Sequence, residues 1–134
     1  MDTKFRCNCP ITSTLDILGD KWTLVIIRDM LFFGKKTFKE FSESDEKIAT
    51  NILSARLKML EDYKIIVKEK LPDNKKVNIY LLTEKGIQLT PMIIEMIFWG
   101  NEHVDEFNPN MTDYRKTFLA GRKQNVITKV QKSY

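Results

Sequence analysis

Residues 64–83 run on a different period from the chain around them. Ile65, Val67 and Glu69 share one parity, and Ile66, Lys68 and Lys70 share the other. Further on, Val77, Ile79 and Leu81 alternate with Asn78, Tyr80 and Leu82. Side chains that alternate with a period of two mark strands. Pro72-Asp73-Asn74-Lys75 between the two runs is a turn signal. The stretch therefore predicts one hairpin, with a first strand over about 65–71 and a lysine-rich tip. The other apolar segments carry helical spacing, so the fold class is mainly α with a small β-hairpin. A lone two-stranded hairpin is marginal in water and must pack on those helices.

The helices follow from caps and breakers. Residues 1–10 read as an irregular arm, and Pro10 suits the first turn of a helix or the residue before it. A short helix is expected from about Ser13 to Leu18, with Leu15 and Leu18 inward and Gly19 as its end. Asp20 is a candidate N-cap for the next, about Lys21 to Phe32. Its apolar positions Trp22, Val25, Ile26, Met30 and Phe33 share one side, and Gly34 terminates it. Thr37 with Glu40 forms a capping box for a short third helix with Phe38 and Phe41 inward. After the polar stretch Ser42–Glu46, a fourth helix runs over about 47–63. Ile48, Ile52, Leu53, Leu57 and Leu60 form its apolar stripe, while Asn51, Ser54 and Lys58 share another surface.

Thr83 caps a long helix expected from Glu84 to about Glu102. It is apolar around most of its circumference, from Ile87 through Ile93, Ile94 and Ile97 to Trp99. One core does not need that much apolar surface, so a second subunit is the natural cover. Leu15, Leu18, Ile93, Ile97 and Trp99 are the candidate interface residues. Pro91 either kinks this helix or follows an early break. Thr112 is placed as the cap of a final helix containing Tyr114, Phe118 and Leu119, with a frayed basic tail from Gly121. The organisation expected is one domain over 1–110 and an appended helix and tail over 111–134.

At 134 residues, with 43% hydrophobic and 30% charged residues, the chain can bury one core and is not disordered. No apolar run is long enough to span a membrane, and the first residues lack an apolar signal core, so the expected location is cytoplasmic. Cys7 and Cys9 cannot staple a fold, and two thiols with the single His103 are too few for a metal site. No nucleophile–base pair and no Gly-rich phosphate loop is present. The expectation is therefore no catalytic residue, no metal and no cofactor.

Lys and Arg total 22 against 18 Asp and Glu, a net charge of +4. The distribution says more than the sum: Lys35, Lys36 and Lys39 precede the fourth helix, and Lys75 and Lys76 sit at the hairpin tip. Such clusters read as a nucleic-acid footprint. A short helix, a polar turn, a longer helix with a polar outward row, then a basic hairpin is a winged helix-turn-helix order. In that arrangement the second helix of the motif enters the major groove. Asn51, Ser54 and Lys58 have the chemistry to meet base edges or phosphates, and Ala55 can touch a thymine methyl. Thr50 would meet backbone phosphate at the helix start. Lys36, Lys39, Lys75 and Lys76 would flank these on the backbone, while Arg56 braces the motif from its side. The competing reading is a winged-helix protein–protein module without specific DNA binding, its lysines only solvating it.

Several segments together resemble the HxlR family of bacterial winged-helix regulators. They are Cys9-Pro10-Ile11, Leu15 through Gly34 with Lys21-Trp22 at its centre, Phe38-Lys39-Glu40-Phe41, Ile48 through Glu61, Leu82-Thr83-Glu84-Lys85-Gly86 and Trp99-Gly100-Asn101-Glu102-His103. The resemblance covers roughly residues 9–103. It implies a fold similar to the MarR-type regulators, a homodimer, and binding to double-stranded operator DNA, mostly as a repressor. It implies dimerisation through the N-terminal helix and the C-terminal helices. It also implies that Cys9, the cysteine before the proline, is a candidate sensor of oxidants or electrophiles; Cys7 is extra. Thr50 and Ala55 stand where the family often has proline and glutamine, so the operator preference is expected to differ. A small apolar effector between the long helix and the winged domain stays open.

Overall fold

The structure is a computed structural model that describes residues 5–114 and 123–134. Its contacts divide into two compact units, 1–86 and 87–134. The boundary between these units falls at Gly86/Ile87.

The first unit holds α1 (Pro10–Leu18), α2 (Thr23–Phe33), α3 (Phe38–Ser42), α4 (Thr50–Asp62), β1 (Ile66–Leu71) and β2 (Asn74–Leu82), with α5 (Glu84–Ile87) at its end. Pro10 opens α1, so this helix starts three residues before the expected Ser13. Leu18 is buried, but Leu15 is 52% exposed and does not point into this core. α2 begins at Thr23 rather than Lys21. Trp22, not the expected Asp20, holds its cap position, while the Asp20 carboxylate accepts the amide protons of Trp22 at 3.0 Å and Thr23 at 3.1 Å in the turn before it. Ile26, Ile27, Met30 and Leu31 form the buried face of α2, whereas Phe33 is 52% exposed. Gly34 ends the helix with φ of 64°, a left-handed conformation that glycine adopts without strain. The capping box on α3 is formed on both sides by Thr37 and Glu40.

α4 starts at Thr50, three residues after the expected Lys47. Lys47 has φ of 56°, so the chain turns there and cannot be helical. Ile48 is buried ahead of the helix. Leu53, Leu57 and Leu60 face inward with Phe41 and Ile66 in the core. The hairpin pairs Ile66 with Leu82 and Lys70 with Asn78, and a register shift follows at Lys70/Leu71. β2 starts at Asn74, leaving Pro72 and Asp73 as the turn.

α5 closes this unit on the root of the hairpin. The Thr83 hydroxyl accepts the Gly86 amide proton at 3.1 Å and donates to the Lys64 carbonyl at 2.7 Å. A Cβ on Gly86 would lie 2.4 Å from the Ile65 carbonyl oxygen, so only glycine allows this approach.

The second unit contains α6 (Thr90–His103) and α7 (Lys123–Ser133), which pack together. The long helix expected from Glu84 to Glu102 is therefore two helices. Chain irregularity at 88–89 separates them, and Pro91 sits in the first turn of α6, where its missing N–H costs nothing. The expected frayed tail from Gly121 is instead largely the helix α7, with Ile127 and Val130 buried. Apolar side chains three apart give it a face to pack. Asn101 is buried and its side-chain amide donates to the Thr112 carbonyl at 2.9 Å. Thr112 is not helical, and Phe118 and Leu119 of the expected helix lie outside the described residues.

Candidate nucleic-acid interface

α4 carries two faces with different jobs. Leu53, Leu57 and Leu60 anchor it from below. Thr50, Asn51, Ser54, Ala55 and Lys58 are all exposed on the opposite side. Ala49 occupies the cap position in extended backbone and offers no side-chain acceptor. The first amide groups of α4 thus keep their capacity for an anion such as a phosphate.

The placement of this helix is over-determined by ion pairs. Arg56 Nε donates to the Asp20 carboxylate at 2.9 Å, which ties α4 to the start of α2. This is the bracing role expected for Arg56. Partial burial works against ionisation of Asp20, but the Thr23 hydroxyl, the Arg56 guanidinium and the Trp22 amide outweigh it and lower its pKa.

A second network fixes the turn that leads into α4. Asp29 is 1% exposed and accepts from Arg28 at 2.7 Å, from Lys35 at 3.4 Å and from the Ser44 hydroxyl. Arg28 reaches on to Glu46 with bonds of 2.6 and 2.9 Å. That bidentate contact, reinforced by Asp29, raises the already high pKa of Arg28 despite partial burial. Lys35 is committed to this network, so of the three lysines in its cluster only Lys36 and Lys39 stay exposed. Sequence reasoning missed Asp29; the signal was the adjacent Arg28-Asp29 pair inside a mostly apolar helix.

The wing is held beside the motif by backbone. The Tyr80 amide on β2 donates to the Lys36 carbonyl at 2.7 Å. Lys75 and Lys76 are exposed near the hairpin turn, as are Lys68 and Lys70 on β1. Lys58 pairs with Asp62 at 3.0 Å, an exposed contact one helical turn on. That contact raises the pKa of Lys58, and a surface pair of this kind exchanges readily for a phosphate.

The two thiols lie on the arm before α1. Cys9 occupies the cap position of α1; its thiol forms no cap hydrogen bond, yet the nearby amides of Thr12 and Ile11 favour the thiolate and lower its pKa. Cys7 is exposed, and its sulfur accepts the Cys9 amide proton at 3.4 Å, which lowers its pKa as well. Arg6 pairs with Asp16 at 2.5 Å, and Phe5 meets Tyr63 edge-on at 6.4 Å between ring centres. Tyr63 occupies the C-cap position just after α4.

Of the interface candidates, Leu18 and Ile93 are already buried at 5% exposure each. Ile97 is half-buried, and Leu15 and Trp99 are exposed at 52% and 63%. Met92 and Met96 on α6 are exposed as well. No helix among the described residues is long and apolar enough to cross a membrane.

Residues 17–108 match the HxlR-like helix-turn-helix family. The chain belongs to that family. The transcriptional regulator YodB of Bacillus subtilis is 38% identical over 95 residues, which cover 70% of this chain and 84% of YodB. The reduced form of YodB superposes with a TM-score of 0.59 at 37% identity, over 72% of this chain and 95% of that one. HypR, a redox regulator in its reduced form, gives a TM-score of 0.63 at 31% identity, over 75% of this chain and 99% of that one. The protein is a winged helix-turn-helix transcriptional regulator of this family.

Proposed function

We propose that the protein is a homodimeric repressor that reads operator DNA with α4 and lets go or rearranges when its arm thiols are modified. The exposed row Asn51, Ser54, Ala55 and Lys58 on a rigidly braced helix is the observation that carries this reading. Asn51, Ser54 and Lys58 would meet base edges, with Ala55 against a thymine methyl. Thr50 would sit against phosphate at the uncapped start of α4. Lys36, Lys39, Lys75 and Lys76 would supply backbone contacts, the salt-sensitive share of affinity.

Leu15 on the first unit, and Met92, Met96, Ile97 and Trp99 on the second, each supply apolar surface suited to a second copy, while Leu18 and Ile93 are buried. A two-fold dimer would place two recognition helices in successive major grooves, about 34 Å apart. Cys9 at the start of α1 is the sensor candidate, with Cys7 beside it, since the thiolate is the reactive form. YodB and HypR, relatives with redox forms of their own, support that choice. A cytoplasmic location follows from the DNA target, and an apolar effector remains compatible with the family.

The test separates base reading from charge. Asn51→Ala and Ser54→Ala should each weaken operator binding by about 1–3 kcal/mol while leaving random DNA nearly unchanged. Equal losses on both duplexes would remove α4 as the reading element.

A further inference from the structure

We propose that Cys7 and Cys9 form a dithiol–disulfide couple within a single arm, so that oxidation is resolved inside one protomer. The inference rests on the redox reading of Cys9 and specifies how its oxidised form is trapped.

Only Asn8 separates the two cysteines, and the backbone bends over residues 6–8. The bend folds the Cys7 side chain forward, so that its sulfur lies 3.4 Å from the amide nitrogen of Cys9. Cys7 is the only other cysteine in the chain, and its side chain is already folded toward Cys9. Both side chains are reachable from solvent. A mobile or distant partner would have to pay loop-closure entropy that this pair has almost fully avoided.

The roles divide by environment. Cys9 sits at the first turn of α1, beside the amides of Thr12 and Ile11, which favour its thiolate form. With a hydroperoxide as oxidant, the Cys9 sulfur attacks one peroxide oxygen and the O–O bond breaks. The second oxygen leaves and takes up a proton, giving an alcohol or water, and Cys9 becomes a sulfenic acid. The Cys7 thiolate then attacks the Cys9 sulfur. The S–O bond breaks, hydroxide leaves and is protonated to water, and the S–S bond forms. Two thiol hydrogens and two electrons leave the pair, and the peroxide is reduced by two electrons. A ring closed over one residue is strained, which makes such a bond easy to reduce and fits a reversible switch.

Ring closure also has mechanical reach. The arm is pinned on one side by Phe5 against Tyr63 at the end of α4, and by Arg6 on Asp16 of α1. Drawing Cys7 and Cys9 together alters the chain between those anchors and α1, next to the recognition helix of the same protomer.

Mass spectrometry of the full chain treated with hydrogen peroxide, quenched in acid and cleaved with trypsin, tests this. Trypsin releases residues 7–21 as one peptide holding both thiols. The expected product is that peptide lighter by two hydrogens, in a protein that runs as a single chain on a non-reducing gel. Cys7→Ser should instead accumulate a Cys9 sulfenic acid that dimedone traps, several-fold above wild type. A covalent dimer through Cys9, or equal dimedone trapping in wild type and Cys7→Ser, would overturn the couple while leaving Cys9 reactive. Thiols unchanged by peroxide in both proteins would overturn the couple and the redox reading together, whereas operator binding by the reduced protein is scored independently.

Discussion

Asp29 shows how much a single side chain contributes to this protein. It is an acid at 1% exposure in the mostly apolar α2, and the cost of burying it is offset by Arg28, Lys35 and Ser44 around it. These partners come from α2, from the segment after it and from the turn before α4, so one group holds three parts of the motif. Removing one member of a buried ionic cluster strands the rest. Asp29→Ala should therefore lose about 3 kcal/mol, seen as a lower urea midpoint with an unchanged slope. A change under about 0.5 kcal/mol, as for an ordinary surface site, would show that the network is not stabilising. The acids also predict a pH dependence. The Lys36 amide, ahead of the Thr37 amide, lowers the pKa of Glu40, and the Arg28 guanidinium lowers that of Glu46. Asp20 is lowered too, its partial burial outweighed by Thr23, Arg56 and Trp22. A carboxyl with a lower pKa in the folded than in the unfolded chain stabilises the fold above its unfolded value. That contribution is lost as pH falls through the folded value. Stability should hold from about pH 7 to 5 and decline below about pH 4. Asp20→Asn should make the decline shallower; an equally steep decline would exclude Asp20 as a contributor.

At the scale of elements, local chemistry sets each boundary of the winged motif. Thr37 and Glu40 satisfy each other's backbone at the start of α3. Thr37→Ala should cost about 1 kcal/mol in thermal or urea unfolding. Gly86 is the tighter constraint, because a Cβ there would meet the Ile65 carbonyl and the Leu82 side chain. Gly86→Ala should destabilise by about 1–3 kcal/mol through overpacking, and should do so more than the same change at Gly100, which faces open space. These two positions also show what a sequence makes legible. The capping box, the hairpin and the α3–α4 order were readable because each depends on residues a few positions apart. The start of α4 was misplaced because Ile48 keeps the helical spacing while Lys47 turns the chain at positive φ. The long C-terminal helix is over-extended for a similar reason: the apolar positions Ile87, Leu89, Met92 and Ile93 run on both sides of the break, and only Pro91 marks it. The outward row on α4 was legible from periodicity, whereas the Asp29 cluster was not, since it joins residues 15 positions apart.

For the whole molecule, two compact units divide the work differently from one another. The first carries the motif, the wing and the arm thiols, and the second carries α6 with Met96 and Trp99 exposed at 52% and 63%. Exposed apolar side chains of that size on one helix favour association with another surface, and the family membership of residues 17–108 fits a regulator that works on DNA. The lysines around α4 and on the wing predict that affinity falls as salt rises, because each phosphate contact releases condensed counterions. The central claim is specific DNA reading by this surface, and titration of the reduced protein against its own upstream intergenic duplex and a scrambled duplex, at two salt concentrations, tests it most directly. The account predicts binding to the upstream duplex at least about 1000-fold tighter than to the scrambled one, with both weakening as salt is raised. Equal, weak binding to the two duplexes would contradict operator recognition at that site and favour a winged-helix protein–protein module instead.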